Sequence, residues 1–389
     1  MSRQLVNRSA DLKRLRDEGY DIEVRSNHLL VKDVPYVDSQ RVVRRGILVS
    51  ELTLAGEVTA APGTHVALFI GEHPCKRDGT LISQIQHQSG DQDLGDGLVA
   101  NHSFSNKPSD GYKDYFEKVT RYVDIISHPA MSLEPGVTAK TFPAVEDSEG
   151  ESPFHYVDTA SSRAGITAVT GKLALRRLAI VGVGGTGSYV LDLVAKTPVQ
   201  EIHIFDGDRM LNHNAFRSPG APSLDQLGQR RMKADYFGEI YSRMHRGIVA
   251  HGSYVDATNL DQLRAMDFVF VCLDRGEAKR LIVERLIEWS IPFVDVGMGI
   301  ELVDGMLGGV LRVTTVTPEK HDHVSRRISF ADGEDDYASN IQIADLNALN
   351  ATLAVIRWKK LFGYYRDFEK EHQNTFTTDC NMLLGEDKL

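Results

Sequence analysis

The pattern of apolar and polar positions changes character part-way along the chain. Up to about residue 155 the apolar runs are short and broken by turn residues. Asp21–Val24, His28–Val31, Gly46–Leu54 and His65–Ile70 read as strands, separated by Ser26-Asn27, Pro62-Gly63 and Asp78-Gly79. A first helix is predicted from Ser9, which can cap it, through Leu12 and Leu15 to Gly19, which can end it. Residues 88–111 are polar and rich in Gly, Ser and Asp, and read as a long loop. From Tyr112 to Ile126 a helical period returns, with Tyr115, Val119, Tyr122 and Ile126 on one face and Pro129 just beyond. Residues 1–155 thus read as an α+β domain. Its last stretch, 144–155, is acidic and poor in apolar residues, and reads as a linker.

Residues 156–389 alternate strand and helix. Leu178–Val183, Glu201–Asp206, Phe268–Leu273 and Phe293–Val296 are apolar runs of strand length, and Val310–Val316 is a further one. Ser188–Lys196 and Ala278–Trp289 are the helices between them, and Asn347–Trp358 reads as a buried core helix. Continuous apolar strands separated by helices predict a parallel sheet covered on both faces. The expected fold class is α/β, a Rossmann-like doubly wound sheet preceded by the smaller α+β domain, with a C-terminal tail.

Composition narrows the function classes. The 389 residues include 44 Lys plus Arg against 54 Asp plus Glu, a formal charge of −10. That balance disfavours a general nucleic-acid coat, since phosphate backbones attract basic surfaces. It leaves room for a small local anion site. No run of about 18 apolar residues occurs, so no membrane span is expected. The three cysteines are too few for a disulfide framework or a four-cysteine zinc site, and their scarcity fits a reducing cytoplasm.

The candidate chemistry begins at Gly182-Val183-Gly184-Gly185-Thr186-Gly187, which joins the first strand of the second region to its helix. Bare amides and a helix N-terminus attract phosphate there, and glycine allows close approach. Asp206, at the end of the next strand, can accept hydrogen bonds from ribose hydroxyls. These features alone do not separate NAD from ATP. Three readings remain open at this level: an adenylating enzyme, a NAD-dependent oxidoreductase, and a non-catalytic nucleotide-bound scaffold.

The residues that follow carry a resemblance. Asp206-Gly-Asp208 leads to Asn214-Ala-Phe-Arg217, then Lys233-Ala234, then an apolar strand ending at Asp274. Together with the glycine turn, this set resembles the ThiF/MoeB family, the adenylating module of ubiquitin-activating enzymes, over about residues 160–365. His213 stands where that family usually has serine, and Ser218 where it usually has glutamine. The resemblance implies ATP- and Mg-dependent adenylation of the C-terminal carboxylate of a ubiquitin-like protein, in a bacterial conjugation pathway with a defence setting. It implies that Gly182, Gly184, Gly185, Gly187, Asp206 and Asp208 hold the nucleotide. It further implies that Arg217 and Lys233 clamp the phosphates, that Asn214 positions a phosphate oxygen, and that Asp274 binds Mg²⁺. Relatives form homodimers in which an arginine reaches the neighbouring site, and Arg163 is the candidate. The plainer readings are that Asp206 and Asp274 form turns, Asn214 caps a helix, and Arg217 and Lys233 are solvated. Lys279 and Arg280, at a helix start, read as surface residues outside the site.

The thiols and the first domain are less constrained. The loop 317–345, where activating enzymes often carry a cysteine, has none, and its His321 and His323 read as solvated. Cys272 reads as a packing residue. Cys380, in a polar terminal segment, is the candidate thioester site, with Cys75 and a separate conjugating enzyme as other possible acceptors. The first domain resembles one found fused ahead of bacterial ThiF-like modules. It reads as a recognition domain or a degenerate relative of conjugating enzymes.

Overall fold

The computed structural model describes residues 2–147, 152–274, 276–330 and 341–389. The chain forms two compact units, Met1–Val145 and Glu146–Leu389.

The first unit opens with helices α1 (Ser2–Arg8) and α2 (Ala10–Asp17). Strands β1 (Ile22–Arg25), β2 (His28–Val37) and β3 (Val43–Glu51) follow, then a small pair, β4 (Leu54–Ala55) and β5 (Val58–Thr59). Next come β6 (Val66–Ile70), β7 (Gln86–Asp93), β8 (Val99–Ser105) and helix α3 (Tyr115–Leu133). The six longer strands make an antiparallel sheet in the order β1-β2-β3-β6-β8-β7. The helical face read from the sequence is the packed one. Tyr115, Val119, Tyr122 and Ile126 are each at most 1% exposed and join Leu12, Leu15, Val31 and Phe69 in one core. Asp114 caps α3 by accepting the N–H of Glu117.

Four expectations for this unit change. Ser9 stands at the N-cap of α2, but its hydroxyl accepts from Thr59 N–H instead of capping the helix. Helix α3 runs through Pro129 to Leu133 and does not stop before it. Residues 88–111 are not a loop, because β7 and β8 occupy most of them. Every residue of β7 is exposed, so that edge strand carries no apolar alternation to read. The segment 144–155 is partly ordered: Asp147 N–H donates to His155 O, and Phe154 stacks edge-on against His245. Residues 148–151 of it lie outside the described residues.

The second unit contains helices α4 (Thr159–Arg163) and α5 (Thr167–Thr170), then β9 (Arg177–Val181), α6 (Gly185–Val194) and β10 (Glu201–Phe205). Helices α7 (Asn212–Ala215), α8 (Leu224–Gly228) and α9 (Lys233–Ser242) precede β11 (Ile248–His251) and β12 (Phe268–Val271). The rest comprises α10 (Gly276–Glu288), β13 (Phe293–Val303), β14 (Met306–Val316), α11 (Val324–Arg327), α12 (Ala344–Leu361), β15 (Glu371–Thr377) and β16 (Met382–Lys388). They build one sheet in the order β11-β10-β9-β12-β13-β14-β15-β16. The first five strands are parallel and the last three join antiparallel. Successive residues of β9 serve opposite cores, which is why its run is unbroken. Leu178 and Ile180 pack with α6 and α12, while Ala179 and Val181 pack with α10.

The chain runs outward from β9 to β10 and β11, then returns to β12 on the other side of β9. That reversal opens a crevice at the carboxyl ends of β9, β10 and β12, where doubly wound folds hold ligands. The expected tail is instead the β15–β16 hairpin. Its opening residues Glu371, His372, Gln373 and Asn374 are buried yet polar, held in part by Arg357, Lys360 and Thr314, so hydrophobic periodicity misses them. His323 is likewise a fully buried histidine bonded to Thr315 O, not a solvated one. Among the described residues no helix is long and apolar enough to cross a membrane.

Lys118 gives the first unit a measurable pH signature. It is 1% exposed and donates to Ser50 Oγ, Thr64 O and Val66 O, and burial holds its pKa down at about 8. The unfolded chain still binds that proton up to the ordinary lysine value of 10.5. Stability should therefore rise as pH climbs from about 8 toward 10.5. Across that window wild type should gain roughly 3 kcal/mol relative to Lys118→Met in guanidinium unfolding followed by circular dichroism. Parallel pH slopes for the two proteins would refute it.

Candidate functional site

The glycine turn is built by contacts that forbid side chains. Gly182 has a φ of +88°, and a Cβ there would lie 2.5 Å from the Cys272 carbonyl oxygen. At Gly187 a Cβ would sit 1.9 Å from Gly182 O, so only glycine lets α6 come this close to its strand. At Gly185 it would meet the Asn347 side chain at 2.3 Å. Gly184 differs. A Cβ there would touch nothing within 4 Å. Gly184 is therefore the open side of the turn.

Asp206 pins the turn from below. It is 7% exposed, and its two oxygens accept the N–H groups of Val183 and Asp208, each at 2.9 Å. Burial pushes its carboxyl above the usual range against the pull of Lys233. Lys233, also buried, places Nζ 2.9 Å from Asp208 Oδ2 and 4.0 Å from Asp206 Oδ1. Asp208 also accepts a short hydrogen bond from the Tyr254 hydroxyl. Lys233 is thus held by the acidic residues beside it and is not solvated.

Asn214 lies on α7 and Arg217 just after it. Asn214 is 4% exposed, and its Oδ1 accepts from Leu211 N–H, which fixes the amide orientation. Its Nδ2 is buried with no partner. The Nε of half-buried Arg217 is also buried and unpartnered. Asp274 is exposed, between the end of β12 and the start of α10. The arrangement brings two idle N–H donors, an open glycine and an exposed carboxylate to one end of the sheet.

The sequence profile of the ThiF family matches residues 162–362, just over half of the chain. The chain belongs to the ThiF family. The profile of a domain of unknown function, DUF6791, matches residues 10–159. Ubiquitin-like modifier-activating enzyme 5 of Culex quinquefasciatus is 25% identical over 157 residues. That match covers 38% of this chain, and the chain spans 40% of the length of that relative. Among solved structures, Escherichia coli MccB with ATP is 17% identical with a TM-score of 0.47, over 62% of this chain and 74% of that one. PaaA is 16% identical with a TM-score of 0.45, over 57% and 75%.

Within this ThiF module two residues differ from the sequence reading, one given no role there and one read as a surface residue. Asn347, 1% exposed on α12, accepts from Thr186 Oγ1 at 2.8 Å, abuts Gly185 and donates to Arg217 O. It braces the turn and the Arg217 segment together. A buried asparagine on the apolar face of a core helix was the available signal. Lys279 is the second. It is 5% exposed, not on the surface, and its Nζ lies 2.9 Å from Asp295 Oδ1, a fully buried carboxylate. Lys279 shares its helical face with the buried Ile282, Val283 and Leu286, a spacing that placed it inward. Burial and the nearby Asp295 push the Cys272 thiol well above the usual range. Cys75 is fully buried in the first unit, and burial raises its pKa as well. Cys380 is exposed in the turn between β15 and β16.

Breaking the inner pair has a defined cost. Lys279→Met leaves the Asp295 charge buried without its cation, and should destabilise the second unit by about 3–5 kcal/mol. The double variant Lys279→Met/Asp295→Leu should recover most of that loss in chemical unfolding. Equal stability of wild type and Lys279→Met would show the pair to be dispensable.

Proposed function

We propose that the protein catalyses ATP- and Mg-dependent adenylation of the C-terminal carboxylate of a ubiquitin-like protein. The observation that carries this reading is the pair of buried, unpartnered donors, Asn214 Nδ2 and Arg217 Nε, on the segment that Asn347 ties to the glycine turn. Buried N–H groups left idle carry a free-energy cost that a phosphate oxygen would remove. The family membership and the similarity to an activating enzyme for a ubiquitin-like modifier support the same reading.

In the reaction, a carboxylate oxygen of the substrate bonds to the α-phosphorus of ATP. The bond from that phosphorus to the bridging oxygen breaks, and pyrophosphate leaves with the electron pair. Negative charge builds on the phosphate oxygens, so the chain's task is to supply fixed positive dipoles and charges there. The amides of Gly184 to Gly187 and the N-terminus of α6 face the phosphates. Arg217 offers a planar guanidinium, and Asn214 fixes one oxygen. Lys233 supplies a point charge from its seat on Asp208. Asp206 takes the ribose hydroxyls while its other contacts hold the turn. Asp274 is the exposed carboxylate that fits a divalent cation, whose chemistry there is to neutralise phosphate charge. A homodimer with Arg163 reaching across belongs to this reading. So does onward transfer to a thiol, for which Cys380 is the accessible cysteine of the chain and a conjugating enzyme the alternative.

The test is ATP–pyrophosphate exchange with a glycine-tailed ubiquitin-like protein. Wild type should exchange, and Asp274→Ala should lose at least about a hundredfold, the scale of removing one charge-stabilising group. Calorimetry should show Mg-ATP binding and no NAD binding. Full exchange by Asp274→Ala, or NAD binding in place of ATP, would overturn the proposal.

A further inference from the structure

A cleft of about 400 Å³ lies between the segment after α12 and the β15–β16 hairpin, and it shares no lining residue with the crevice at the glycine turn. A polar layer underlies it. Buried Arg357 lies 3.1 Å from Glu371 Oε1 and 3.2 Å from Asp367 Oδ2. Lys360 Nζ lies 2.7 Å from the same Glu371 oxygen. Glu371 Oε2, by contrast, is buried with no partner, and so is Asn374 Oδ1. Glu371 and Asn374 are only 7% and 8% exposed, and both line the cleft. Gly385 is the cross-strand partner of Asn374 and lines it too. A Cβ there would lie 3.2 Å from Glu371 Cγ, so the hairpin keeps this floor free of a further side chain. Phe368 and Leu383 are exposed apolar walls. Arg366, also lining the cleft, is exposed and has no ion-pair partner among the described residues.

Charge decides what the two idle oxygens accept. Below them Arg357 and Lys360 answer Asp367 and Glu371, two against two. At the rim Lys388 answers Glu369. A desolvated ammonium added to that balanced layer would leave an uncompensated buried cation. A neutral N–H₂ group adds no charge, and its two hydrogens match the two acceptors. Buried acceptors left idle carry a cost that such a group removes. The charge left over is that of Arg366, whose guanidinium suits a carboxylate or phosphate. Between the two lie Leu383 and the ring of Phe368, and an exposed aromatic ring is a platform on which a flat base stacks. We propose that the cleft is a binding site for a mononucleotide whose base bears an exocyclic amino group. The amino group donates to Glu371 Oε2 and Asn374 Oδ1, the base lies against Phe368 and Leu383, and the phosphate meets Arg366. The proposal is independent of the adenylation reading, which concerns the other crevice.

The experiment is photolabelling of the full chain with 8-azidoadenosine monophosphate, the labelled peptides being mapped by mass spectrometry. Wild type should carry label within residues 360–389. Adenosine monophosphate should compete for that label. Inosine monophosphate, which has an oxo group in place of the amino group, and adenosine, which lacks the phosphate, should each compete at least about tenfold less well. Arg366→Ala, Phe368→Ala and Gly385→Val alter exposed positions, and each should weaken labelling by about tenfold or more. Matching near-ultraviolet circular dichroism would show that they fold. Asp274→Ala lies in the other crevice and should keep the hairpin label, so a failed pyrophosphate exchange and a failure here are read separately. Label confined to the glycine-turn segment, equal competition by inosine monophosphate, or undiminished label in the three hairpin variants would overturn the inference.

Discussion

The second unit is organised around one buried carboxylate. Asp206 ends β10, yet its oxygens are committed to the glycine turn after β9 and to the backbone of Asp208. Through Lys233, which faces both acids, it is coupled to the start of α9. Three separate segments of sequence meet on one side chain. A carboxylate so deeply placed is tolerable only because two amides and an ammonium answer it. Loss of any of these would move the turn, and with it the spacing between Gly184 and the donors of α7.

The crevice is held from its other wall by a second polar contact, Asn347. It is fixed on the long helix α12 and touches both the turn and the Arg217 segment. The glycine turn is thus clamped between a carboxylate and a carboxamide that lie 141 positions apart in the chain. This explains how a loop of small residues keeps a defined shape without ligand. Its rigidity comes from neighbours that each satisfy their hydrogen bonds on it.

Much of this architecture was legible in the sequence where a hydrophobic period existed. The strands β9, β10 and β12 and the face of α3 were read within a few residues, because each is buried in a regular pattern. Legibility failed where burial is polar or absent. Strand β7 is exposed at every position, and β15 opens on four buried polar residues, of which Glu371 pairs with Arg357 and Lys360 and Gln373 accepts from Thr314. The nucleotide candidates Asp206, Asn214 and Arg217 were visible through motif spacing, and all three lie on the segment that follows β10. Lys279 was read as a surface residue and Asn347 was given no role, although the period of their own helices pointed both inward. Their chemistry was discounted because charged and amide side chains are usually exposed.

The ion pair between Lys233 and Asp208 bears on what the crevice admits. Among the five charged side chains assigned to it, Asp206, Asp208 and Asp274 contribute three negative charges, and Arg217 and Lys233 contribute two positive ones. Counted as formal charges, these leave an excess of one negative. A bare polyphosphate approaching such a mouth meets repulsion at a range the Debye length sets, about 8 Å in physiological salt. A polyphosphate that arrives already neutralised in part by a divalent cation does not. On the proposed adenylating reading, the crevice would thus filter by charge state, sorting complexed from uncomplexed nucleotide before any group is positioned for reaction.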